Sequence, residues 1–129
     1  MIHRDPVLGV LRYSTKEALW EARVSVGAAT LGFRIGGSAL PGAPLISHAR
    51  DIVQHFDGFQ ERLSAFFADE ARRHPALAGA IEQLELEGID LCWPERPDDG
   101  MIYFRSPDAE KVWRCDYVDR TLSGLGFDD

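Results

Sequence analysis

Two histidines and an aspartate in the middle of the chain have a spacing that could bind a metal ion. His48, Asp51 and His55 stand at positions i, i+3 and i+7, so on an α-helix they would lie within roughly 60° of one another. Two imidazoles and a carboxylate are a common set of zinc ligands. The three residues also border a stripe of apolar residues, where paired histidines are more often structural. We therefore expect no metal and no other cofactor.

Other patterns that could support catalysis are incomplete. The glycine-rich segment from Gly36 to Ala43 precedes a predicted helix, whose N-terminal amides could hold an anion, but it matches neither the phosphate loop nor the dinucleotide fingerprint. The sequence contains no Gly-x-Ser-x-Gly motif. Asp98 and Asp99 are adjacent in the chain, whereas acid–base catalysis needs two carboxylates in different environments around one substrate. The sequence thus predicts a protein that is not an enzyme.

Three short segments in the C-terminal third alternate between apolar and polar residues with the period of a β-strand. They are Gly88–Trp93, Met101–Arg105 and Val112–Val118. The connections contain an Asp-Gly pair and a Ser-Pro-Asp triplet, both of which are typical of turns. One face of each segment is apolar and the other polar, as in an antiparallel sheet with one buried face. We predict a three-stranded meander here.

The rest of the chain predicts a second meander and two helices. Val7–Tyr13, Leu19–Val26 and Thr30–Ile35 alternate as strands. Apolar residues then recur at helical spacing, which predicts a long helix over residues 44–73 and a second helix from Pro75 to Gly88. The predicted fold class is α+β, with two three-stranded antiparallel meanders (β3-α2-β3) in one six-stranded sheet and two helices on one face. Two separate three-stranded sheets around the helices are the alternative.

Length and charge limit the possible partners. The 129 residues suit a single domain. The net charge is −7, and residues 89–129 carry 10 acidic and 5 basic side chains, against 11 and 9 in residues 1–88. A negative surface disfavours nucleic acid and anionic membranes and attracts basic partners.

The cysteines and the hydropathy pattern indicate the compartment. Cys92 and Cys115 fall on opposite faces of the predicted meander, so we expect no disulfide between them. The first residues contain no apolar signal segment, and no run approaches the roughly 18 apolar residues that a membrane span needs. We expect a cytoplasmic protein.

The polar face of the C-terminal meander has the composition of a protein-binding surface. Tyrosine, methionine and arginine are enriched in interfaces, and an acidic rim speeds the encounter with a basic partner. An ordinary solvated sheet face is the alternative. The predicted partner-binding residues are Glu95, Asp98, Asp99, Tyr103, Arg105, Arg114 and Asp116.

The two ends of the chain carry a resemblance. Asp5-Pro6-Val7-Leu8-Gly9-Val10-Leu11, with Trp20 downstream, and the segments 112–119 and 125–128 resemble the opening and ending of small uncharacterised bacterial proteins filed as domains of unknown function. Proteins of this kind often resemble immunity proteins. The resemblance implies a small, acidic, cytoplasmic and non-catalytic protein, and it implies no particular binding residue.

The expected function is that of an immunity protein. It would neutralise a cognate bacterial toxin by covering a basic active-site cleft with an acidic surface, in which Tyr103 and Arg105 anchor the complex. The alternative is a small enzyme or ligand-binding domain, with a pocket between sheet and helices that uses His48, Asp51 or His55. A monomer and a homodimer formed through a sheet edge are both compatible with the sequence.

Overall fold

The computed structural model describes residues 1–128, and within them the chain forms one mixed β-sheet with helices inserted at its midpoint. Eight strands are present in these residues. They are β1 (Ile2–Asp5), β2 (Gly9–Ser14), β3 (Leu19–Val26), β4 (Ala29–Ile35), β5 (Glu85–Leu91), β6 (Gly100–Arg105), β7 (Val112–Val118) and β8 (Thr121–Asp128).

The strands lie in the sheet in the same order as in the chain. Neighbours are antiparallel except for β4 and β5, which are parallel, with Gly32 opposite Gly88 and Ile35 opposite Leu91. The helical segment between these two strands returns the chain to the end of the sheet where β4 began. This parallel pair joins two four-stranded meanders into one sheet.

The prediction of two three-stranded meanders in a six-stranded sheet is therefore wrong. The sequence pattern does not reveal β1 and β8, the two edge strands. β1 reads Ile-His-Arg-Asp and β8 contains Gly124 and Gly126, and polar and glycine residues are depleted in strands. Edge strands are partly solvated, so their pairing does not require a strict apolar alternation.

The helical region contains more and shorter helices than the sequence predicts. Helix α1 (Ala43–Gln54) ends at His55, whose φ of −120° and ψ of 40° are not helical, and α2 (Phe56–Arg73) follows at once. The predicted long helix is thus two helices. In place of the predicted second helix, the chain has a 3-10 turn (Pro75–Leu77) and a single turn of helix, α3 (Ala78–Ile81).

The helices cover one face of the sheet and form the core with it. Cross-strand neighbours on that face are large and buried, as in the pair Trp20–Ile35 and the row from Phe33 through Ile89 to Ile102. Phe67 of α2 packs edge-on against Phe104 of β6, with ring centroids 5.0 Å apart. Burial of aromatic side chains contributes most to the stability of such a core.

Two neighbouring residues of α1 contact opposite ends of the sheet. Arg50 forms an ion pair with Asp5 of β1, whereas Asp51 accepts a hydrogen bond of 3.2 Å from Arg120 beside β8. A flat sheet would separate β1 from β8 by roughly 34 Å, since adjacent strands lie about 4.8 Å apart. The sheet must therefore curve around α1, and its uncovered face is convex.

The ion pair between Asp5 and Arg50 is supported by further hydrogen bonds to Asp5. One carboxylate oxygen accepts hydrogen bonds from the amides of Val7 and Leu8, at 3.0 and 2.9 Å, and the other accepts from Arg50. Burial alone would raise the pKa of this carboxyl, but the hydrogen bonds from Arg50 and the two amides outweigh it, and the pKa is lowered. The ionised carboxylate thus fixes the first hairpin to α1.

Within residues 1–128, no helix combines the length and the apolar composition of a membrane span.

Candidate protein-binding face

The convex face of the sheet carries the side chains that alternate with the buried ones. We call it the open face. Arg105 and Asp116 are exposed there, and Met101 and Tyr103 are half-buried. The members nearest its centre, in strand order, are Glu21, Arg23, Gly32, Arg34, Gly88, Asp90, Met101, Tyr103, Arg105, Arg114 and Asp116.

The structure divides the seven predicted binding residues into two groups. Tyr103, Arg105, Arg114 and Asp116 lie together on the open face, on β6 and β7, where Tyr103 is directly opposite Arg114 and Met101 opposite Asp116. The remaining three lie in the loop between β5 and β6, at the end of the sheet. They are Glu95, Asp98 and Asp99.

Two of the loop acids hold the turn between β7 and β8. Asp98 accepts a hydrogen bond of 2.7 Å from Arg120, and Asp99 accepts one of 2.9 Å from the amide of Asp119. These two carboxylates are therefore partly paired with groups of the protein itself. Glu95 forms no ion pair within residues 1–128 and is exposed, so it is the freer of the loop acids.

The arginines of the C-terminal part of the open face have acidic neighbours. Arg105 lies 3.4 Å from a carboxylate oxygen of Glu85, and Arg114 forms an ion pair with Asp128. These exposed pairs are screened by water and contribute little to stability. Asp116 has no such partner in the part of the chain described, so it leaves an uncompensated negative charge on this face.

A stronger ion pair lies at the centre of the open face. The guanidinium of Arg34 binds Asp90 with two hydrogen bonds, from Nε at 2.8 Å and from Nη2 at 2.6 Å. Such a fork fixes both side chains. The same guanidinium lies 5.6 Å from the ring centroid of Tyr103, and burial raises the pKa of the Tyr103 hydroxyl. Arg34, Asp90 and Tyr103 form a rigid, partly dry cluster, which we call the central cluster.

The central cluster is not visible in the sequence. Arg34 and Asp90 alternate with the buried residues of their own strands, but no sequence pattern pairs them. They are 56 residues apart in the chain, and only the parallel register of β4 against β5 brings them together.

Next to the central cluster the open face has a notch. Gly32 and Gly88 face each other across the parallel pair, and their missing side chains leave a cavity of about 320 Å³. A Cβ added to Gly32 would meet its nearest atom, the Glu87 carbonyl oxygen, at 3.8 Å, which is ordinary contact. The fold therefore does not require glycine at position 32. The cavity is lined by Glu21, Ala22, Arg23, Gly32, Phe33, Arg34, Glu87, Gly88, Asp90 and Tyr103.

The three residues with metal-ligand spacing lie on the other side of the sheet. His48, Asp51 and His55 share a small recess of about 130 Å³ with Tyr117 and Arg120. No set of three or more histidine, cysteine, aspartate or glutamate side chains within residues 1–128 is arranged to hold a metal ion.

His48 already uses both of its ring nitrogens. A carbonyl oxygen can only accept, so Nδ1 donates to Pro97 at 2.6 Å and Nε2 accepts from the Tyr117 hydroxyl at 3.1 Å. Burial lowers the pKa of this imidazole, against a hydrogen bond to Pro97 that would raise it. A neutral histidine so arranged joins α1 to the β5–β6 loop and to β7.

Comparison with known proteins gave no match, whether to a family model, to a curated protein or to a solved structure.

Proposed function

We propose that this protein is a non-catalytic protein-binding domain that docks on its partner through the open face. We further propose that it acts in the cytoplasm as an immunity protein, whose partner is a bacterial toxin with a basic active-site cleft. The observation that carries the proposal is a broad sheet face, in residues 1–128, that none of the helices covers and that bears tyrosine, methionine and arginine side chains.

The size and shape of the open face support a protein partner. If flattened, it would measure roughly 34 Å by about 20 Å, from strand spacing and strand length. The product, roughly 700 Å², is close to the roughly 800 Å² that each side contributes to a standard interface. Because the sheet curves around α1, the face is convex, and a convex face fits a cleft better than a flat surface. Occupying a cleft is how a binding protein excludes substrate.

The charge distribution supports a basic partner. The protein carries a net charge of −7, and Glu95 and Asp116 are acidic groups without an ion-pair partner in residues 1–128. Unpaired exposed charges contribute most to long-range attraction between proteins, and this effect falls with added salt. Asp98 and Asp99 add to the same field, although their hydrogen bonds hold the β7–β8 turn.

The notch beside the central cluster supplies an anchoring position. Glycine in the middle of a strand costs roughly 0.5–1 kcal/mol of stability relative to alanine, and at position 32 the backbone does not need it. A partner side chain that enters the notch would pack against Tyr103 and the Arg34–Asp90 pair. Interfaces concentrate their binding energy in such pockets.

The proposal is tested by filling the notch. The partner is first isolated from the native host, identified, and assayed for toxic activity with and without this protein. Gly32→Val is expected to preserve the fold and to weaken binding by at least about tenfold, which corresponds to about 1.4 kcal/mol. Thr30→Val is the matched control, because it changes an exposed residue of the same strand outside the notch lining.

A second comparison tests the role of charge. Asp116→Arg is expected to slow association with the partner at low salt. Asp57→Arg on α2 is the control, because it makes the same charge change away from the open face. If Gly32→Val and Asp116→Arg both bind and inhibit the partner as well as the native protein does, the open face is not the binding surface.

A further inference from the structure

A cleft on the helix-covered side of the sheet is separate from the open face. It lies between α2 and the β7–β8 hairpin and has a volume of about 520 Å³. Its floor is apolar: half-buried Phe66 and Leu122 supply the accessible surface, over Phe59 and Tyr117, which are each 1% exposed and meet edge to face with ring centroids 6.3 Å apart. The cleft is lined by Phe59, Arg62, Ala65, Phe66, Tyr117, Arg120, Thr121 and Leu122.

Two guanidinium groups border this apolar floor, and they differ in their freedom. Arg120 is held by hydrogen bonds to Asp98 at 2.7 Å and to Asp51 at 3.2 Å. Arg62 forms no ion pair within residues 1–128, and its guanidinium carbon lies 5.6 Å from the centroid of the Phe59 ring. Stacking on an aromatic ring restrains an arginine without neutralising its charge. Arg62 therefore presents an uncompensated positive charge at the wall of an apolar cleft.

We propose that this cleft binds a small monocarboxylate with an apolar body. The apolar body would lie on Phe66 and Leu122, and the carboxylate would accept hydrogen bonds from Arg62. A guanidinium fork matches a carboxylate in geometry and in charge. The volume falls within the range of pockets that bind small molecules.

The acidic groups near the cleft define the charge of the ligand. Arg120 lines the cleft and binds both Asp51 and Asp98, which do not line it. Their two negative charges are balanced only in part by the single charge of Arg120. This excess negative charge would repel a dianionic headgroup such as a phosphate, whereas a single carboxylate needs only Arg62, which forms no ion pair within residues 1–128.

The experiment is a titration of the full chain with sodium octanoate, followed by two-dimensional amide NMR. We expect saturable shifts confined to residues 59–66 and 117–122. Arg62→Gln should weaken octanoate binding by about 10- to 100-fold, the range for a lost charge-assisted hydrogen bond. Arg23→Gln is the matched control, since Arg23 is an exposed arginine without an ion pair in the part of the chain described and lies on the opposite face.

Two further measurements separate the contributions of cleft shape and of charge to octanoate binding. Ala65→Leu fills the cleft and should weaken octanoate without changing the charge. Octylammonium, which has the same chain and the opposite charge, should not bind to the native protein in the same range. Equal affinity of octanoate for the native protein and for Arg62→Gln, shifts centred elsewhere, or no saturable shift at all would overturn the proposal. None of these outcomes depends on the protein partner of the open face.

Discussion

His48 and Tyr117 meet beneath α1, whereas Arg34 and Asp90 meet on the open face, and the two pairs differ in their access to water. His48 and Tyr117 are each 1% exposed, while the Arg34 side chain is 36% exposed. The first pair is neutral, because burial lowers the pKa of His48 and raises that of Tyr117. The second pair is charged and partly hydrated.

This difference matches the different roles of the two sites. A buried neutral pair that uses all its hydrogen-bonding groups within the protein stabilises the fold, because removing one group leaves the others unpaired in a dry environment. Although the Asp90 side chain is only 10% exposed, a charged pair whose arginine is hydrated contributes less to folding. Its fixed geometry can still shape a surface that a partner recognises. The comparison predicts unequal effects on stability.

The largest effect is expected for His48→Ala. The substitution removes a buried ring, opens a cavity, and leaves the Pro97 carbonyl and the Tyr117 hydroxyl without their partner. The free energy of unfolding should fall by about 3 kcal/mol, as measured by urea denaturation. His55→Ala is the control, because His55 is exposed and its removal should change stability by less than about 0.5 kcal/mol. Equal losses in both variants would show that the His48 hydrogen bonds are not important for folding.

A smaller effect is expected for Asp90→Asn. The variant keeps the size of the side chain but loses the charge and one acceptor of the fork with Arg34. Because water screens the half-exposed Arg34, we expect a loss of only about 1 kcal/mol. Asp116→Asn, at an unpaired position of the same face, should have almost no effect on unfolding. A loss for Asp90→Asn as large as that for His48→Ala would contradict the distinction between the two pairs.

The smallest effect is a dependence of stability on pH. The pKa of His48 is lowered in the folded protein from its ordinary value of 6.5, chiefly by burial. The unfolded chain therefore binds more protons below pH 6.5. The stability that neutral His48 contributes is complete above pH 6.5, and it is lost as the pH falls from 6.5 towards the lower pKa of the folded state. Urea midpoints measured across this interval should show a slope that disappears in His48→Ala, and a slope that persists there would assign the dependence to other groups.

The parts of the fold that could be predicted are those whose side chains face opposite environments. β3, β4, β6 and β7 have one buried and one solvated face, so their alternation is visible in the sequence. The break at His55 was not predictable in this way, because the apolar spacing continues across it from Ile52 to Phe56 and Phe59. No proline marks the break, and Gly58, the nearest glycine, lies within α2.

The candidate sites were less predictable than the fold because they depend on which strands become neighbours. Tyr103, Arg105, Arg114 and Asp116 were grouped correctly on one face, since β6 and β7 are joined by a short turn. The notch, by contrast, forms only where Gly32 meets Gly88 across the parallel junction. In the sequence these are two unrelated glycines in separate segments.

The attachment of both sheet ends to α1 has a consequence for the order of events during synthesis. Asp5 lies 45 residues before Arg50, so the first hairpin can dock as soon as α1 has formed. Pro97 lies 49 residues after His48, and Arg120 lies 69 residues after Asp51, so the contacts of α1 with the second meander form only after those residues have left the ribosome. During that interval the aromatic side chains of α2 that pack on the second meander, such as Phe67, are uncovered, and exposed apolar surface favours aggregation of a nascent chain.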